Sequence, residues 1–244
     1  MDSGYYAAYS GLLARSEALD SAASNLSNAN TTGFRAEREY FRSAIPGPHA
    51  LESQLNRTVN DFGVIGGNHI STAQGALTKT GNTLDVAIEG EGFFQIQTAA
   101  GAQFTRDGAF TRLANGTLAT ASGEPVLTAK GKPLVIPTGD ISIGSDGVVS
   151  VSGAVAGQIG IFNFKDASLL TPQGRNRYTA APEMKAELSH ATLHQGALES
   201  SNQDVIQGSL QMILVQRQAE MMQKALSIFH TDFDKTASEE LPRV

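Results

Sequence analysis

The sequence predicts an α+β chain: long N- and C-terminal helices forming a coiled coil, flanking a central all-β domain of antiparallel hairpins. Three observations point there. Near the start, Tyr5, Leu12, Leu19 and Leu26 recur every seven residues. Near the end, Leu210, Leu214, Met221, Ala225 and Ile228 recur at spacings of three, four and seven. Such stripes mark the side along which one helix buries its apolar face against another. Between them the texture is that of β-structure, with fourteen of the 25 glycines lying between Gly81 and Gly160.

Ser3 is suited to cap the first helix, and helix-compatible residues run from Gly4 to about Ser27. Asn25, Asn28, Asn30, Thr31, Thr32 and Gly33 then form a breaker cluster, with Gly33 free to take positive φ. Phe34 restarts an extended segment. Residues 41–76, with Pro46, Gly47, Pro48, Gly63, Gly66 and Gly67, read as an irregular connector with short strands.

The β-domain is expected over 77–195. Its turn signals are Gly81-Asn82, Gly90–Gly92, Asp107-Gly108, Asn115-Gly116, Ser122-Gly123, Lys130-Gly131, Gly139-Asp140 and Asp146-Gly147. Asp-Gly and Asn-Gly favour the tight turns that twist-match two antiparallel strands. Short apolar runs sit between them: Leu84–Ile88, Phe93–Ile96, Ala102–Thr105, Leu134–Ile136 and Gly147–Val151, with one alternating strand over Gly157–Phe164. Phe93 and Phe94 are expected to alternate between core and surface. Pro172, Gly174 and Pro182 break the segment after them. The second helix begins at Ser200 or Ser201, with Asn202 and Asp204 near its first turn, and runs to about His230. Residues 1–40 and 196–232 thus form the helical part, Leu198 leads into its second half, and 233–244 is a polar tail.

Composition narrows the function classes. The chain has 244 residues, is 41% apolar and carries a formal net charge of −6. Nucleic acid demands clustered positive charge, so that partner is not expected. The absence of cysteine removes disulfides, thiolate catalysis and Cys-ligated metals together. No basic and apolar leader follows Met1, and no window approaches 18 apolar residues, so neither a cleaved signal nor membrane insertion is expected.

The chemistry-bearing patterns are weak. His190 and His194 stand four apart, as two ligands on one helix face would, but no acidic third ligand lies at a useful spacing. No Gly-x-Ser-x-Gly elbow occurs. Gly90-Glu91-Gly92 precedes a strand rather than a helix, so it reads as a tight turn and not as a phosphate cradle. Arg106, beside Asp107-Gly108, reads most simply as a hairpin-flanking charge. No enzyme, cofactor or metal is expected.

Three blocks carry a likeness. The first is Ser24-Asn25-Leu26-Ser27-Asn28-Ala29-Asn30-Thr31-Thr32-Gly33-Phe34-Arg35. The second is Thr80–Phe94, including Gly90, Gly92, Phe93 and Phe94, followed by Phe104-Thr105-Arg106-Asp107-Gly108-Ala109-Phe110. The third is Gly196-Ala197-Leu198-Glu199-Ser200-Ser201-Asn202, with Met212-Ile213 and Gln216-Arg217 in the last helix. In these the sequence resembles the flagellar axial proteins, the rod and hook subunits of the bacterial flagellum. Length and the Met1-Asp2 start are more similar to a proximal rod subunit than to a distal one.

The resemblance implies a structural subunit of the basal-body rod, in the periplasm-spanning part of the flagellum. It implies assembly with itself and other rod proteins into a hollow shaft that transmits torque from motor to hook, terminal helices inside. It also implies export by the flagellar type III apparatus without a cleaved signal. A distal rod or hook-type subunit is the near alternative. An extracellular binding or adhesin module would account for the β-domain but leave two long helices without a purpose.

Overall fold

The computed structural model describes residues 2–42 and 64–239; side chains are described for 9–40, 67–228 and 231. Most of the expected connector, 43–63, lies outside the described residues, as does the side chain of Tyr5. The chain divides into two compact units. One comprises Met1–Leu26, Arg38–Asn68 and Val205–Val244, and the other Ser27–Glu37 and His69–Asp204.

The first unit holds helix α1 (Asp2–Ser27), helix α2 (Val205–Glu239) and a two-stranded sheet of β1 (Glu37–Arg42) and β2 (Val64–Ile70). The breaker cluster ends α1 where expected, but α2 continues past His230. Its polar last turns contain no Gly or Pro before Pro242 and are compatible with helix. Among the described residues no helix is long and apolar enough to cross a membrane.

Among the described residues the expected coiled coil is not seen. Its seam residues on α2, Leu210, Leu214, Met221 and Ile228, are 56–62% exposed, and Leu12, Leu19 and Leu26 of α1 are half-buried. Among the described residues the buried ones are Gly11, Ala14, Ala18, Ser21 and Ala22 on α1 and Gly208 and Val215 on α2. The stripe read from the sequence lacks a second apolar row: if Leu214, Met221 and Ile228 are its a row, the d row after Leu210 is Arg217, Lys224 and Thr231. The less exposed face of α2 is a different one, carrying Met212, Val215, Ala219, Met222 and Leu226.

The second unit is built of short strands: β3 (Leu77–Lys79), β4 (Val86–Glu89), β5 (Phe93–Thr98), β6 (Gly101–Thr105), β7 (Phe110–Arg112), β8 (Leu118–Thr120), β9 (Ile141–Ile143), β10 (Val148–Val151), β11 (Ala154–Gln158), β12 (Ile161–Asn163), β13 (Thr171–Pro172), β14 (Arg177–Thr179), β15 (Glu187–Leu188), β16 (Thr192–Gln195) and β17 (Ala197–Glu199). A six-stranded sheet runs β13-β14-β6-β5-β12-β15, and β11-β10-β9 form a second sheet. Among the described residues the strands of this unit pair antiparallel.

Asn115-Gly116 closes the β7–β8 hairpin and Asp146-Gly147 the β9–β10 hairpin, as their turn chemistry demands. Asp107-Gly108 does not close one: β6 pairs with β5 and β14, while β7 pairs with β8. The single strand expected over 157–164 is two, β11 and β12, and Leu134–Ile136 contributes only isolated bridges.

Phe93 and Phe94 are both buried, because both faces of β5 are covered. Phe94 and Ile96 enter one core with Val86, Ile88, Phe110 and Leu118. Phe93 enters another with Phe104, Phe164 and Tyr178. Successive side chains on a strand point to opposite faces, so one dipeptide serves two cores.

Two further ladders bring the ends of the unit together. β16 pairs with β4 from Thr192↔Glu89 to Gln195↔Val86, and β17 pairs with β3 from Ala197↔Lys79 to Glu199↔Leu77. Between them, Thr80 and Gly81 donate to the Gly196 carbonyl and Gly196 donates to Asp85. The Thr80–Asp85 excursion is held by Asp85, whose carboxylate accepts from Thr80 Oγ1 (2.6 Å) and Asn82 Nδ2 (2.8 Å). This arrangement carries Glu199 into the middle of the unit.

Candidate functional site

Among the described residues one buried cluster draws on all three sequence blocks. Arg35, from the end of the first block, is 1% exposed; Arg106, from the second, is 3% exposed; Glu199, from the third, is 1% exposed. Glu199 Oε1 takes Arg35 Nη2 at 2.9 Å, and its Oε2 takes Arg106 Nη1 at 3.0 Å. The Gly75 amide also donates to Oε1, at 2.9 Å. Burying charge is costly unless it is paired and hydrogen-bonded, and here one carboxylate faces two guanidinium groups.

Each arginine has further acceptors. Arg106 donates to the carbonyls of Ile88 (3.3 Å) and Gly90 (2.6 Å), and its guanidinium lies 5.3 Å from the Phe93 ring centroid. Arg35 Nη1 donates to the carbonyls of Thr72 (3.3 Å) and Ala73. The Nε atoms of both are buried without a hydrogen-bond partner. Arg106 is held down to about 10: burial lowers it most, the like charge of Arg35 adds to this, and Glu199 opposes both. Burial also lowers Arg35, with Glu199 opposing. At neutral pH both stay charged, so the cluster carries a net positive charge.

Backbone contacts tie the same segments together. Gly33 donates to the Glu199 carbonyl (2.7 Å) and Asn202 to the Phe34 carbonyl (3.2 Å). The Asn202 side chain accepts from the Ala36 amide (2.7 Å) and donates to the carbonyls of Ser71 (3.2 Å) and Ala73 (2.8 Å). Gly33 is required twice over. Its φ is +67°, and a Cβ there would lie 2.4 Å from the Arg106 carbonyl carbon. The Arg35 amide donates to the Tyr178 hydroxyl at 3.2 Å; burial raises that phenol to about 12. The Asn176 side chain donates to the Thr32 carbonyl. Within the second unit the segments 32–36 and 199–202 are therefore held to each other by backbone and side-chain hydrogen bonds.

Gly33, Phe34, Arg106 and Asn202 of the sequence-predicted set meet here. Arg106 is no hairpin-flanking charge; it is buried because β17 brings its counter-ion. Gly92 and Gly108 are buried nearby in the unit, Gly90 is exposed, and Asp107 is half-buried. Asn25, in the last turn of α1, is half-buried; after the helix Asn28 and Thr32 are half-buried and Asn30 exposed; Ala225 and Leu198 are half-buried and Arg217 exposed. His190 precedes β16 and His194 lies on it, paired with Glu89, so their spacing has no helical meaning.

Arg35, Glu199, Tyr178 and Asn176 were not among the sequence-predicted site residues. A signal existed for Glu199: two residues after Ala197 on a strand, it shares the buried face.

Asp107 supplies a pH-dependent prediction. Burial raises its carboxyl above the ordinary range; the Ala109 amide opposes this and the charge of Asp85 adds to it. An acid that binds its proton more tightly when folded weakens the fold as pH rises from the unfolded value toward the folded one. Asp107→Asn keeps an oxygen for the Ala109 amide and removes the charge. The variant is expected to be at least as stable as the parent at pH 7 in urea unfolding. Its advantage should shrink as pH falls toward about 4.

Two family models match the chain: "Flagellar hook protein FlgE/F/G D1 domain" over residues 87–151 and "Flagella basal body rod protein" over residues 6–35. Among curated proteins, the chain is similar to the flagellar basal-body rod protein FlgF of Caulobacter vibrioides, 34% identical over 249 aligned positions covering 100% of both chains. It is similar to FlgF of Mesorhizobium japonicum, 34% identical over 89% of each chain. It is also similar to the flagellar basal-body rod protein FlgG of Bacillus subtilis, 33% identical over 87% of this chain and 89% of that one.

Proposed function

The chain belongs to the flagellar basal-body rod protein family, with the FlgF type favoured over FlgG, and we propose from this that it is a non-enzymatic structural subunit of the rod in the flagellar basal body. In this reading it adds to other axial subunits in a non-closing, head-to-tail array, and the finished shaft carries torque. Its partners are further copies of itself, neighbouring rod and hook-side subunits, and the flagellar export apparatus that delivers it.

The observation that carries the reading is the row of uncovered apolar side chains on α2. Val205, Ile206, Leu210, Ile213, Leu214, Met221 and Ile228 are 46–72% exposed along one helix. Scattered exposed apolar residues are ordinary, but seven on one helix form the kind of surface that protein partners cover. The paired segments 32–36 and 199–202 support the mechanical half of the proposal. Load entering the second unit along either chain segment meets the same ion cluster and hydrogen bonds, so neither segment can shift without the other.

In-frame deletion of the gene tests the function. The expected result is loss of motility, with isolated basal bodies that stop short of a complete rod in electron micrographs. A deletion strain that swims and builds complete rods would overturn the proposal.

A further inference from the structure

We propose that Glu199 is a closing latch: the second unit cannot reach its folded state until the C-terminal segment bearing this carboxylate has joined it. The inference rests on the ion cluster and the contacts around it and stands independently of the rod assignment. Three facts lead to it. Arg35 and Arg106 come from separate stretches of the first half of the unit and are brought to the same carboxylate. The other partners of the two guanidinium groups are neutral carbonyls and the Phe93 ring, and both Nε atoms are unpartnered. Closing the cores without Glu199 would therefore bury two positive charges beside each other with only the exposed Glu91 acting on Arg106 as an acid, the kind of poorly compensated burial that breaks folds.

The second and third facts concern timing and backbone. β16 and β17 are the last strands of the unit and pair with β4 and β3, more than a hundred residues earlier in the chain. Non-local pairings of this separation form only after a long loop closes. The segment that neutralises the arginines also supplies the Glu199 carbonyl to Gly33 and the Asn202 side chain to Ala36. One arrival thus satisfies charge and backbone together. A chain still being synthesised or threaded, with Glu199 not yet delivered, would hold this unit open.

The test uses the full-length protein and amide hydrogen exchange. In Glu199→Gln, protection at Val86, Ile88, Phe94 and Ile96 is expected to fall by at least about 100-fold, as for a buried pair that has lost one partner. The triple variant Arg35→Met/Arg106→Met/Glu199→Leu, which removes all three charges, is expected to recover protection to within about 10-fold of the parent. In pulse-labelled refolding of the parent, β4 and β5 should gain protection together with β16 and β17. Three results would overturn the latch. One is loss confined to residues 196–202 in Glu199→Gln. Another is a triple variant that folds no better than the single one, including the case where Glu199→Gln yields no folded protein at all. The third is protection of β5 and β6 well before β17.

Discussion

Replacing Gly108 by alanine is expected to cost the second unit roughly 4 kcal/mol or more, enough to unfold much of a fold worth about 5–15 kcal/mol. A Cβ at this position would sit 1.7 Å from the Val86 carbonyl oxygen, 2.8 Å from its carbon and 3.3 Å from Phe94 Cε2. None of these can yield. Val86 is fully buried in the larger core, pairs with Gln195 across β4–β16, and donates its amide to the Gly108 carbonyl at 3.1 Å. Moving its carbonyl would strip a strand from the ladder that delivers Glu199.

Gly108 does not need positive φ, so the penalty is one of space. Gly123 provides the contrast: its φ is +87° and nothing lies within 4 Å of a Cβ built there. Gly123→Ala should therefore show only the conformational cost of a left-handed residue, about 1–2 kcal/mol. Urea unfolding of the two full-length variants separates the cases. A Gly108→Ala protein within about 1 kcal/mol of its parent would show that β4 is not held as rigidly as its contacts require.

These contacts also explain what could be read from the residues alone. Local chemistry was legible. The Asn-rich cluster after Ser27 ends α1, and Asn115-Gly116 and Asp146-Gly147 turn hairpins, because each acts on its own few residues. The order β13-β14-β6-β5-β12-β15 was not legible, since nothing in a strand names its distant neighbour. Phe93-Phe94 was misread for a related reason: alternation shows that two faces exist, but not that both will be covered. A charged residue is harder still. Arg106 looks solvated until Glu199 is placed beside it, and Glu199 is 93 positions away. The coiled coil failed for a different cause. The row through Leu214, Met221 and Ile228 recurs every seven residues, but Arg217 and Lys224 occupy the row beside it, and the less exposed face of α2 is the one through Met212, Val215, Ala219 and Met222.

The failed seam sharpens the prediction about assembly. In Leu210→Asp/Leu214→Asp the new carboxylates occupy positions 58% and 56% exposed in the single chain. They lose little hydration there, so the stability of the subunit should change by no more than about 0.5 kcal/mol per site. Within an assembled rod the same positions would be covered under the proposed function. A buried, unpaired carboxylate is then several kcal/mol unfavourable in every copy added. The variant is therefore expected to fold, fail to enter basal bodies and leave a deletion strain non-motile.

Val215→Asp gives the opposite order of effects. Val215 is 6% exposed within the single chain, so an aspartate there should destabilise the subunit before any assembly occurs. Thermal unfolding of the purified variants, read beside swimming and rod incorporation, distinguishes a surface used by partners from one that merely stays wet. Restoration of swimming by Leu210→Asp/Leu214→Asp would remove α2's apolar row from the assembly and leave the reading without its supporting surface.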